Sequence, residues 1–257
     1  MLAAAEDRFE RVEVASACHL VAEAIEREIL SGRLRPGDGV GTEAALCRQF
    51  GVNRSTVREA IRMLEQGGLV QRGGDRRLYA SLPRYSGLSS RVSRALILHE
   101  VTFRELWATA RVLEIAAAEQ AAENADAAAI AALEENQARA EQALDDPARL
   151  AELDSQFHSL MSKASRNRVL DLAREPAGLL FFPTTEMICR RVPEGAARMV
   201  AAHRHLIEAL KARDAAGAAL WMARHVADWR KGFERAGRDL DEPVERVFAR
   251  HALRAPY

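Results

Sequence analysis

Lysine is almost missing from this chain: only Lys163, Lys211 and Lys231 stand among its 37 basic residues. Cysteine is scarce as well. Cys18, Cys47 and Cys189 are odd in number and widely scattered, which excludes a disulfide framework or a zinc ribbon and reads as reduced thiols. No apolar run approaches the roughly 18 to 20 residues that span a bilayer, so no membrane partner is expected. Met1 to Arg11 is charged and has no apolar core segment, so a secretory signal is not expected and a cytoplasmic location is. Aromatics make up only 5%, with 15 Gly and 8 Pro in 257 residues. Alanine and arginine dominate instead, which favours a mainly helical fold.

Net charge is also absent, 37 basic against 37 acidic residues, which taken alone argues against nucleic acid. The distribution argues otherwise. Between Arg48 and Arg84 eight arginines face Glu59, Glu65 and Asp75, a local excess of five positive charges. A neutral whole with one basic segment points to two parts with different partners.

Residues 1–80 read as the first part. Val21, Ile25, Ile29 and Leu30 recur at helical spacing and the run closes at Gly32. A second helix starts at Thr42 and stops at Gly51, and a third begins at Asn53 or Ser55 and ends at Gly67-Gly68. Leu69-Val70 and Leu78-Tyr79-Ala80 flank a polar stretch and read as a small β-hairpin. Residues 81–89 are the expected linker. Residues 90–257 read as helical throughout, in segments 90–98, 102–123, 126–144, 147–165, 168–190 (interrupted around Pro176 and Pro183), 194–213, 215–236 and 241–253. An all-α antiparallel bundle is the expected way to bury their apolar stripes.

Two helices joined by a tight turn and followed by a hairpin describe a winged helix-turn-helix. Its second helix would enter the major groove of double-stranded DNA with Arg54, Ser55, Thr56 and Arg58 near its start. Arginine suits guanine edges, and serine and threonine suit phosphates. The plainer alternative is an arginine-rich solvated face. Several ordered motifs then carry a resemblance: Ile29-Leu30-Ser31-Gly32-Arg33-Leu34-Arg35-Pro36-Gly37-Asp38, Thr42-Glu43, Phe50 to Ile61, and Leu64 to Val70. Over about 60 residues the segment resembles the DNA-binding domain of GntR-family bacterial transcription regulators. The resemblance implies operator contacts by Arg54, Ser55, Thr56 and Arg58, with Gly74 and Arg76 as wing contacts. Ala44 stands where some members carry a further DNA-contacting arginine.

The second part holds a histidine pattern. Asp154 and His158 are four apart and share a helix face. His203 and His225 lie equally far from Asp214, the expected turn, roughly 16 Å along each helix. An antiparallel hairpin would bring the two rings level. If both face Asp154 and His158, one carboxylate and three imidazoles converge, a set suited to Zn²⁺, Ni²⁺ or a similar divalent first-row ion. The alternative is four separate hydrogen-bonded residues. His205, two positions from His203, is expected outside the set. Residues 90–235 resemble the FCD effector-binding domain of the FadR branch of GntR regulators. The carrying motifs are Arg111 to Glu114, Asp154 to His158, Asn167, His203 with Glu208 to Leu210, Asp214, and Met222 to His225. The resemblance implies a divalent metal, zinc foremost, on Asp154, His158, His203 and His225. Arg111 matches an arginine near the effector cavity. It is expected either to pair with a ligand carboxylate or to form a buried salt bridge with Glu114 or another acid.

The expectation is therefore a homodimeric, ligand-responsive regulator, with repression as the expected sign, reading a two-fold operator and binding a small carboxylate effector. Two other classes compete: a metal-dependent hydrolase or lyase using the Asp/His cluster, and a DNA-binding protein whose bundle only dimerises.

Overall fold

The computed structural model describes residues 16–75, 77–83 and 85–244. The chain divides into two compact units between Arg84 and Tyr85.

In the first unit α1 (Ala17–Leu30), α2 (Glu43–Phe50) and α3 (Arg54–Gly67) pack around Val21, Ile25, Leu46, Val57, Ile61 and Leu64. Each of the last two helices has its sequence-encoded start. The Thr42 hydroxyl accepts from the Ala45 amide, and the Asn53 carboxamide accepts from the Thr56 amide. Between them Gly51 ends α2 in the left-handed region at φ 66°. β2 (Val70–Arg72) and β3 (Leu78–Ala80) form the expected hairpin, in the register Val70↔Ala80. A third strand, β1 (Gly39–Gly41), was not expected from the sequence. It pairs antiparallel with the other edge of β3, giving the order β1-β3-β2. Glycines lower strand propensity, but here the free edge of β3 supplies the partner.

The second unit is all-helical: α4 (Tyr85–Leu98), α5 (Phe103–Asn124), α6 (Ala127–Gln142), α7 (Pro147–Ala164), α8 (Arg168–Arg191), α9 (Pro193–Lys211) and α10 (Ala215–Arg235). Its main core gathers Ala118, Ala121, Phe157, Met161, Leu206, Leu210, Ala218 and Met222 from four of these helices. Two boundaries differ from expectation. Residues 85–89, read as linker, belong to α4, where Ser89 and Ser93 are fully buried and the Ser93 hydroxyl donates to the carbonyls of Ser89 and Pro176. α8 runs unbroken through Pro176 and Pro183. Residues 241–244 are not helical, and the rest of the segment expected at 241–253 lies outside the described residues.

Candidate nucleic-acid interface and metal centre

The basic segment of the first unit sorts into two groups. Arg62 pairs with Glu59, Arg77 with Asp75, and Arg72 with both Glu43 (3.0 Å) and Glu65 (2.9 Å). These arginines hold the wing strand and helices together. Arg54 and Arg58 are exposed at the start of α3 and have no ion pair among the described residues. The Ser55 hydroxyl donates to Asn53 Oδ1 at 2.7 Å, so it braces the helix start, and Thr56 is half-buried beside it. The positive end of the α3 dipole adds to both guanidiniums.

Gly74 is exposed at the wing tip with open space around it, while Arg76 lies outside the described residues. The wing's geometry depends on neighbours that the sequence did not single out. Asp75 accepts from the Arg77 amide at 3.0 Å and the Tyr79 hydroxyl at 2.9 Å. At Gly73 a Cβ would sit 2.5 Å from the Tyr79 ring.

In the second unit α7, α9 and α10 bring Asp154, His158, His203 and His225 together, with one ligating atom of each inside 4.8 Å of the others. Asp154 Oδ1 lies 3.3 Å from His203 Nε2, 3.7 Å from His225 Nε2 and 3.8 Å from His158 Nε2. The helical hairpin expected around Asp214 is present: α9 ends at Lys211 and Asp214 caps α10 through the Gly217 amide. The rings are held. Phe157 stacks on His203 at 3.7 Å between centroids, and His158 Nδ1 donates to Glu114 Oε2 at 2.8 Å. That second bond turns the His158 Nε2 lone pair toward the cluster, where His225 Nε2 stands 2.9 Å away. His205 points elsewhere, exposed and stacked on Trp221.

Burial pushes the protonated forms of His203 and His225 down, His225 to about 3, so both rings are neutral donors at pH 7. Burial also opposes the charge on His158, but Glu114 and Asp154 together raise it. For Asp154 the desolvation is outweighed by the imidazoles, which hold its carboxyl well below the usual range.

The donor set meets the requirements of a divalent first-row ion. Asp154 Oδ1 and both ring nitrogens of His203 are buried without a satisfactory hydrogen-bond partner, polar atoms whose burial is costly unless something binds them.

Arg111 is not where the sequence reading put it. It is exposed on α5, with its guanidinium 5.9 Å from the Trp107 ring centroid, and lines no cavity near the cluster. Glu114, three residues on, is instead held by His158 and by Arg174 (3.1 Å). One helical turn of offset separates a residue facing outward from one facing in. The buried cation is Arg174, which periodicity could not reveal because α8 was expected to break nearby.

A winged helix with two uncommitted arginines, joined to a bundle holding a carboxylate–imidazole cluster, has the organisation of a one-component regulator. Comparison with known proteins agrees. Residues 19–79 match the model of the bacterial regulatory proteins of the gntR family, and residues 105–228 match the FCD domain. The chain belongs to the gntR family and carries an FCD domain. It is 30% identical over 142 residues to the HTH-type transcriptional regulator LutR of Bacillus subtilis, covering 55% of this chain and 65% of LutR. It is 31% identical over 160 residues to the Glc operon transcriptional activator of Escherichia coli K12, covering 60% of this chain and 62% of that one. Each match spans less than two thirds of the relative. The fold is similar to that of Streptococcus agalactiae GntR, with a TM-score of 0.60 and 23% identity over 83% of this chain and 99% of that chain. The families and relatives are regulators by name, not enzymes, which sets aside the hydrolase or lyase reading of the cluster.

Proposed function

We propose that this chain is a transcription regulator that binds a two-fold DNA operator as a homodimer and answers to a small carboxylate effector. The observation that carries the reading is the exposure of Arg54 and Arg58 at the start of α3, free of the ion pairs that hold Arg62, Arg72 and Arg77. In this reading Arg54 and Arg58 read base edges, Ser55 and Thr56 approach phosphates, and Gly74 and Arg76 form the wing's contact. Asp154, His158, His203 and His225 hold a divalent ion, Zn²⁺ foremost with Ni²⁺ as the runner-up, within the helical unit. Such an ion supplies positive charge that offsets Asp154 and can anchor an anionic ligand. Effector binding then favours one arrangement of the bundle over another, and operator affinity changes by population shift.

Selection of duplexes from a random pool by the full chain tests this. The expected product is a two-fold sequence with half-sites about one helical turn apart, bound by wild type and lost in an Arg54→Ala/Arg58→Ala variant of unchanged melting temperature. Enrichment of no sequence, or retention by the double variant, overturns the reading.

A further inference from the structure

The helical unit contains a cavity with about 880 Å³ of empty space including its mouth, bordered on one side by Asp154, His158 and His225 and elsewhere mostly by apolar side chains. Trp107, Phe181, Ile188, Met199, Val226 and Trp229 form much of that wall. Two donors that line it are unspent. Arg174 is only 4% exposed and gives Nη1 to Glu114 and Nη2 to Glu175, while its buried Nε has no partner. The Trp229 indole Nε1 is likewise buried without a partner, its ring fixed edge-on by Phe181 at 4.6 Å. A buried donor left unpaired is disfavoured, and two on one cavity wall call for acceptors brought by a ligand.

The electrostatics favour an anion at the Arg174 end. Glu114 divides one carboxylate between His158 and Arg174, and Asp228 is committed to Arg198 at 2.9 Å, so neither neutralises Arg174 completely. The single free N–H suits a carboxylate oxygen. A phosphate in so apolar a wall would leave several oxygens unsatisfied. Arg174 and Phe181 are seven residues apart on α8, roughly 10 Å along the axis, so one ligand can reach both ends only if it has an extended body.

We propose that this cavity binds an amphipathic carboxylate: its carboxylate accepts from Arg174, its apolar body lies on Trp107, Phe181 and Trp229, and a distal oxygen accepts from the Trp229 N–H. The proposal rests on the reading of the helical unit as ligand-binding. It places the anion on Arg174 rather than Arg111, and it makes Arg174 and Trp229 the residues that set specificity.

Calorimetric titration of the metal-loaded full chain with 3-(4-hydroxyphenyl)propionate tests it, against the matching amide, 3-phenylpropionate and L-lactate. The expected order has the hydroxyphenyl acid tightest, and the amide and lactate at least about tenfold weaker. Arg174→Lys keeps the charge beside Glu114 but loses Nε, and should weaken the acid about tenfold with metal content unchanged. Trp229→Phe keeps the ring and should weaken the hydroxyphenyl acid while leaving 3-phenylpropionate as in wild type. Tighter binding of lactate, no binding of the hydroxyphenyl acid, or unchanged affinity in both variants overturns the proposal. Operator binding by the same samples separates the two failures. If it is intact, the ligand assignment alone falls; if it is absent, the regulator reading falls with it.

Discussion

Glu114 serves two buried cations with one carboxylate, a role that the motif Arg111-Val112-Leu113-Glu114 did not disclose. Burial pushes its carboxyl up, yet His158 and Arg174 more than offset this and hold it at about 2. Its bond to His158 Nδ1 fixes which nitrogen faces Asp154. Glu114→Gln should therefore lower divalent-metal affinity by about 10- to 100-fold, read by competition with a chromogenic chelator; unchanged affinity would show that His158 orients itself. The ligand spacing itself was legible, because i,i+4 and two histidines equidistant from a turn are geometric statements. Elemental analysis should find metal in His205→Ala and little in His203→Ala or His225→Ala; the reverse pattern would refute the assigned ligands. The buried histidines also predict the pH response of metal-free protein. His225 has a folded pKa of about 3 against 6.5 unfolded, so between these values the unfolded chain binds more protons. Stability from this group is complete above about pH 6.5 and is lost as pH falls toward 3. A melting temperature that rose from pH 6.5 to pH 4 would contradict the burial.

Elements were readable where a local signal ended them and obscure where a partner decided. Thr42, Asn53 and Asp214 cap their helices as their side chains dictate. β1 had no such signal, since Gly39-Val40-Gly41 becomes a strand only beside β3. α8 is the opposite failure. Interior proline costs about 3 kcal/mol in an isolated helix, so Pro176 and Pro183 read as breaks. The packed helix buries Leu170, Ala177, Leu180 and Ile188, which at roughly 1.5–3 kcal/mol for each large apolar side chain offsets that cost. The Asn53 cap offers a test at this scale. Its carboxamide accepts from both the Thr56 amide and the Ser55 hydroxyl, directly ahead of Arg54. Asn53→Ala should cost about 1 kcal/mol of stability and weaken operator binding by loosening the first turn of α3, whereas Asn53→Asp should restore most of the stability. Equal stability of Asn53→Ala and wild type, by urea titration, would mean that the cap is redundant.

At the scale of the molecule, two separate cores sit in one chain: one built on Ile61 and Leu78, the other on Phe157, Leu206 and Leu210. All four candidate metal ligands fall in the second. An ion held by α7, α9 and α10 ties together three helices of that core, and its binding free energy adds to the stability of the folded state alone. With free metal at about 1,000 times Kd the gain is about 4 kcal/mol, which for a domain of this size corresponds to roughly 10 °C in melting temperature. Chelation should therefore lower one calorimetric transition and leave the other in place, because the first core contributes no ligand. Intrinsic operator affinity, set by Arg54 and Arg58, should change less than the response to effector, which chelation should remove. Parallel scanning calorimetry and fluorescence anisotropy on operator DNA, with and without chelator, read both quantities. If chelation leaves both transitions where they were, Asp154 and its three histidines are a structural cluster and the ligand response must come from Arg174 alone. If both transitions fall together, the two cores melt as one cooperative unit and metal binding supports DNA reading directly.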